Sequence, residues 1–110
     1  MAVYVDHPRW LWRELYWCHL GADSLLELHD FAALVGKPRR AFQCRRLPHY
    51  DLTVVQRAVA IELGALAVSS RELVVVARRL RAELLRGGDP RRLRDTLFLG
   101  GGAPSEGASR

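Results

Sequence analysis

Lysine is almost missing from this sequence: of seventeen basic residues in a chain of 110, only Lys37 is a lysine and the rest are arginines. Cysteine is nearly as scarce. Cys18 and Cys44 form no C-x-x-C pair, so the expectation is two free thiols in a reducing compartment rather than a disulfide framework. Their spacings to His19, His29 and His49 match no common zinc framework. No apolar run approaches the roughly 18 residues that a membrane span needs. The first residues, Met1-Ala2-Val3-Tyr4-Val5-Asp6, lack the basic and long apolar regions of a signal peptide. A cytoplasmic location without a membrane partner is therefore expected.

What is present reads as one globular unit. Hydrophobic residues make up 49% of the chain and charged residues 26%, enough apolar mass for a modest core and too much for a disordered chain. The formal charge of +5 is unevenly spread: residues 1–36 carry a net −3, residues 37–110 a net +8. Arginine dominance beside abundant alanine, leucine and glycine fits a GC-rich genome. It also fits attraction to phosphate, which guanidinium forks bind well.

Along the chain, Ala2–Val5 is a short apolar run that reads as a buried first strand ending in Asp6. The aromatic segment from Trp10 to Trp17 has no clean period, and reads as a loop leading into a second strand at about Tyr16–Leu20. Its aromatics suit an edge of the core, or stacking on bases. Ser24-Leu25-Leu26-Glu27 is a capping-box pattern opening a helix whose Leu25, Leu28, Phe31, Ala32 and Val35 share a face, stopped by Gly36. Arg39–Arg46 is ambiguous between a strand and an irregular crossing, and Pro48–Leu52 between a short strand and a turn. Thr53 caps a second helix with Val55, Ala58, Val59 and Leu63 apolar, closed by Gly64. Ala65–Val68 is a short strand, and Ser69-Ser70-Arg71-Glu72 opens a third helix to about Arg86. The alternation predicts one small α/β domain over residues 1–87, in two or three layers, with a partly parallel sheet of about four strands and three helices. Residues 88–110, rich in glycine, serine and proline, are expected to form a disordered basic tail.

In open α/β sheets ligands bind beyond the carboxyl ends of strands, and Asp6, Asp51 and Ser69 are expected there. Two carboxylates, Asp6 and Asp51, suit a hard cation such as magnesium or manganese. Both also suit simple capping of turns. On a strand, His49 and Asp51 would point to the same face, and an imidazole beside a carboxylate can serve as general base or metal ligand. His19, with Asp23 four residues on, repeats the theme. Asp6, His19, His49 and Asp51 are thus the candidate catalytic set, with Arg39, Arg40 and Arg71 the candidate phosphate-binding residues.

Five motifs in this order carry a resemblance: Val3-Tyr4-Val5-Asp6; His19-Leu20 with Asp23; Leu26-Glu27-Leu28-His29-x-Phe31-Ala32; His49-Tyr50-Asp51; and Val68-Ser69-Ser70-Arg71-Glu72-Leu73-Val74. Together they resemble the domain-of-unknown-function 4031 family of bacteria and phages, over about residues 2–80. The resemblance implies a small cytosolic protein and brings no catalytic residues with it. Relatives often carry Asp-Pro-Pro or Asp-Asp after the first strand, where this chain has Asp6-His7-Pro8. The stretch Gly64-Ala65-Leu66-Ala67-Val68-Ser69 is also similar to the last strand of PIN-like nucleases, although no aspartate stands where those enzymes complete their metal site. Two functions follow as expectations. One is metal-assisted hydrolysis of a phosphoester. The other is non-enzymatic binding of nucleic acid or a phosphorylated small molecule by the arginine-rich half.

Overall fold

A computed structural model describes residues 2–87; the expected tail, 88–110, lies outside the described residues. The chain order is β1 (Val3–Val5), β2 (Trp10–Trp12), β3 (Leu15–Ala22), α1 (Leu25–Leu34), a 3-10 turn at Arg39–Ala41, β4 (Tyr50–Thr53), α2 (Val54–Glu62), β5 (Leu66–Ala67) and α3 (Ser70–Gly87). Over the described residues this is an α/β fold with three helices and a mixed sheet of five strands.

The eight-residue β3 organises the sheet. Trp17 pairs with both Trp10 and Thr53, and Leu20 with both Val5 and Tyr50, so β1 and β2 lie along one edge of β3 and β4 along the other. All three strands run antiparallel to β3, and only β5 pairs in parallel, with β1. The fifth strand comes from the aromatic segment, which forms a hairpin instead of a loop. Its two turn residues, Arg13 and Glu14, take φ of 53° and 63°, the positive pair that a two-residue hairpin turn requires.

Alternation along paired strands sorts the sheet's two faces. On one face Val5, Cys18, Leu20, Ala22, Tyr50 and Leu52 join Leu28, Ala32 and Val35 of the α1 segment, Phe42, Ala60 of α2 and Leu80 of α3 in one buried cluster. On the other face Gly21 leaves room for α3: a Cβ there would stand 3.2 Å from Leu73 Cδ1. Tyr4, Asp6, His19, His49 and Asp51 also belong to this second face by register.

The helix boundaries follow their caps. Ser24 Oγ accepts from the Glu27 amide at 3.1 Å, and its own hydroxyl donates to the Glu27 carboxylate. Gly36 beyond α1 has φ of +93°, which a side chain rarely tolerates. Thr53 and Gln56 form a complete reciprocal capping box on α2, as do Ser69 and Glu72 on α3. One face differs from the sequence pattern: Val55, Val59 and Leu63 of the α2 segment are exposed and only Ala60 of the helix is buried. The turn of α2 toward the sheet is set by Arg57, whose Nε donates to the Asp6 carbonyl at 2.7 Å.

Candidate functional site

Three strands bring the site together. His19 and Asp51 are register partners across β3 and β4, so their side chains rise from the same face as neighbours. On the other side of β3, Asp6 extends the β1 register, its backbone N–H donating to the His19 carbonyl at 3.2 Å. His49 lies two residues before Asp51 and is held by a bridge to Gln43, with both backbone N–H groups donating at 2.9 Å. The candidates therefore form a row across the sheet. Asp6 alone stands at a strand end; His19 and Asp51 sit inside strands, which a search restricted to strand ends does not anticipate.

Asp6 is 1% exposed and fully engaged. Its Oδ1 accepts the His19 backbone N–H at 2.7 Å, and its Oδ2 accepts from His19 Nδ1 at 2.8 Å and from the Ser70 hydroxyl at 3.2 Å. Burial alone would raise this carboxyl, but the hydrogen bond and charge of His19, with the Ser70 hydroxyl, outweigh it and hold Asp6 below its ordinary value. An ionised carboxylate only accepts, so His19 Nδ1 carries the hydrogen, and in the neutral ring Nε2 keeps its lone pair.

His49 repeats this arrangement with a different acceptor. Its Nδ1 stands 2.7 Å from the Leu47 carbonyl, which can only accept, so Nδ1 again carries the hydrogen, and in the neutral ring Nε2 is then bare. That bare nitrogen faces Asp51 Oδ1 at 3.3 Å. Both atoms are buried and neither has a hydrogen-bond partner. Asp51, 3% exposed, uses its other oxygen to accept from Gln43 Nε2. Burial pushes the Asp51 carboxyl up, yet a hydrogen bond and positive charge from a protonated His49, then the charge of His19 and the Gln43 hydrogen bond, hold it below its ordinary value; a proton on His49 Nε2 and a bound cation are thus two ways to satisfy the same gap.

With His49 neutral, the two atoms would face each other as lone pairs and repel unless a proton or a cation lay between them. One ligand atom from each of His19, His49 and Asp51 lies within 4.8 Å of the others. The His49–Asp51 separation of 3.3 Å matches the about 3.3 Å between two ligand atoms that each lie roughly 2.0–2.1 Å from a tetrahedral ion, while the 4.8 Å spread of the whole set must contract on binding. These three residues can hold a metal, and Asp6 stands behind His19 as its hydrogen-bond acceptor. The Asp6–Asp51 pair anticipated from sequence is separated by His19 in the strand order.

The surroundings carry further groups. Trp10 packs on His19 with ring centroids 4.7 Å apart, and the His19 and His49 rings meet edge-on at 5.1 Å. Lys37 Nζ lies 5.5 Å from the centre of the Trp17 ring; burial lowers its ammonium, against the opposite pull of Asp51. Arg9 donates to the Ser70 hydroxyl oxygen at 3.0 Å. Sequence reasoning passed over Lys37, Arg9, Gln43 and Ser70 as site residues. Only Lys37, as the one lysine, left any signal.

The expected phosphate-binding arginines fall elsewhere. Arg39 and Arg40 are exposed on the 3-10 turn, and the Arg39 charge bears on His29 and Tyr50, on the opposite side of β4 from His49 and Asp51. Arg71 is exposed in the first turn of α3, next to Ser70. Asp23, expected to accompany His19, accepts instead from the Tyr4 hydroxyl at 3.0 Å and from the Ala2 backbone N–H at 2.8 Å.

Among known proteins, the sequence profile of a family described as a protein of unknown function, DUF4031, matches residues 3–81. No curated protein and no solved structure matches. That matched stretch holds every residue of the row from Asp6 to Asp51 together with Ser70, and by it the chain belongs to the DUF4031 family.

Proposed function

We propose that this protein is a metal-dependent hydrolase of phosphate esters, with one divalent ion held by His19, His49 and Asp51. The observation that carries this reading is the buried approach of His49 Nε2 to Asp51 Oδ1 at 3.3 Å, with a ligand atom of His19 beside them. A divalent ion there supplies a Lewis acid and acidifies a water it binds. Water then adds to phosphorus, and the ester oxygen leaves with a proton. Lys37 and Arg9 supply positive charge beside the site for the phosphoryl oxygens. The Cys18 and Cys44 thiols, pushed by burial to about 12 and about 11, suit a reducing cytosol.

The test is hydrolysis of bis(p-nitrophenyl) phosphate and p-nitrophenyl phosphate by the full chain with and without added divalent ions. Ion-dependent turnover that falls at least about 100-fold in a folded Asp51→Asn variant is expected. Absence of ion-dependent turnover across phosphomonoesters and phosphodiesters would remove the reading.

A second reading has its own observation. Arg81 Nη1 donates to the Arg46 carbonyl at 2.9 Å, which joins the arginines of α3 to the Arg45–Arg46 loop. This favours a phosphate-binding surface there, separate from the site. Binding of single-stranded nucleic acid would weaken with salt. The slope should be shallower by roughly 0.7 for each phosphate that Arg45→Ala or Arg46→Ala leaves unneutralised. Salt-independent binding would rule it out.

A further inference from the structure

We infer that the centre is selective for a borderline transition ion of the zinc or ferrous type over magnesium, and that Asp6 is the positioning residue that prepares it. The inference rests on the metal reading above and deepens it. Its first support is the ligand set. The residues offer two imidazole nitrogens, on His19 and His49, and one carboxylate oxygen, Oδ1 of Asp51, because Oδ2 of Asp51 is taken by Gln43. Imidazole suits zinc and iron, whereas magnesium demands near-octahedral oxygen ligation and keeps several waters. Two imidazoles and one carboxylate also leave positions open for water and substrate, as catalytic zinc and non-haem iron sites do.

The second support is independent of the first and concerns what Asp6 does not do. Both of its oxygens are already accepting, Oδ1 from the His19 backbone and Oδ2 from His19 Nδ1 and Ser70 Oγ. At 1% exposure, with three of its about four lone-pair directions used, it is engaged on both oxygens. A carboxylate so placed is not a ligand in waiting. It fixes the tautomer and the ring plane of His19, committing Nε2 to the metal, as second-layer carboxylates do behind ligating histidines. The Leu47 carbonyl serves His49 in the same way. Ser70 joins the arrangement from the first turn of α3, so the helix that covers this face of the sheet also steadies Asp6. The sequence motifs at Asp6 and at Ser69-Ser70 thus find a joint use that neither cap nor strand end alone explains.

The experiment uses the full chain, stripped with a chelator and titrated with zinc against a chromophoric competitor. Zinc is expected to bind one ion per chain and to persist under a large molar excess of magnesium. In Asp6→Asn the stoichiometry should hold while the affinity falls about 10–100-fold. Magnesium displacing zinc at comparable concentration would overturn the selectivity, and an unchanged zinc affinity in Asp6→Asn would overturn the role of Asp6. A measurement on the unaltered protein covers a variant that fails to fold: nitrogen chemical shifts of the histidine rings in the metal-free chain. In the neutral form of each ring they should report the Nδ1–H tautomer at His19 and His49. A neutral Nε2–H tautomer at His49 would turn the hydrogen toward Asp51 and end the case for a metal. These readouts involve no turnover. Zinc binding as described without phosphoester hydrolysis therefore sinks only the hydrolase reading, while magnesium-driven hydrolysis without zinc binding sinks only this one.

Discussion

His29 shares with His19 and His49 a ring nitrogen held by an oxygen, its Nδ1 lying 2.7 Å from the Tyr50 hydroxyl. Its surroundings are otherwise opposite in kind. It packs edge-on against Phe42 at 4.6 Å and against Tyr50 at 5.8 Å, and its buried Nε2 has no hydrogen-bond partner. Burial, with the Arg39 charge, lowers its pKa from 6.5 to about 4. The folded chain therefore resists a proton that the unfolded chain accepts, and the sign follows: stability is complete above 6.5 and declines as the pH falls from 6.5 toward about 4. Asp6 and Asp51, held below 3.8 in the fold, add their own loss only further down. Urea midpoints measured from pH 8 to pH 4 should fall with acid in the wild-type chain. They should fall less steeply in His29→Gln, which keeps a partner for the Tyr50 hydroxyl but does not titrate. Equal slopes would show that the acid sensitivity resides elsewhere.

At the scale of elements, the hairpin joining β2 and β3 carries an unusual load. Arg13 and Glu14 both sit at positive φ, 53° and 63°, where an L residue costs roughly 1–2 kcal/mol. Arg13 is compensated in part by its guanidinium 4.6 Å from the centre of the Trp12 ring. Among the described residues nothing comparable serves Glu14. Glu14→Gly should therefore raise stability by about 1 kcal/mol, read as a higher denaturant midpoint at unchanged slope. Loss of stability would mean that the turn is not strained. The cap of α2 works in the opposite direction. Thr53→Ala removes the side-chain acceptor for the Gln56 amide and should cost about 1 kcal/mol by the same measurement, while Thr53→Ser should cost less.

The same hairpin explains what was legible in the sequence. α1 was readable because Ser24, its periodic apolar face and Gly36 all act within one short segment. The shared face of His49 and Asp51 was readable because strand alternation is local. The hairpin was not, since Arg-Glu carries none of the glycine or asparagine that marks such turns. Nor was the inward side of α2, where Arg57 reaches the Asp6 carbonyl across 51 positions of sequence. The role of Asp6 was hidden for the same reason: aspartate type and strand-end position suggest a ligand, and only the long-range register with His19 shows that both oxygens are occupied.

For the whole molecule, the placement of the three candidate ligands has a thermodynamic consequence. His19 comes from β3, while His49 and Asp51 come from β4 and the residue leading into it, and Asp6 ties β1 to the same row. About thirty residues separate His19 from Asp51, so the unfolded chain presents no such set and an ion binds only the folded form. Binding must then stabilise the fold by mass action, about 2.7 kcal/mol at a free ion concentration 100 times Kd. For a domain of this size, where 1 kcal/mol shifts Tm by about 4–8 °C, the rise should be on the order of 10–20 °C. His49→Ala and Asp51→Asn should abolish most of that rise. Arg39→Ala, on the opposite side of β4, should preserve it. An equal rise in the wild-type chain and in both ligand variants would mean that the ion binds elsewhere, at Cys44 or His7 for example. Then the row from Asp6 to Asp51 would be only a buried polar network. A rise confined to chains with the row intact would instead tie the assembly of the sheet directly to the chemistry carried on its second face.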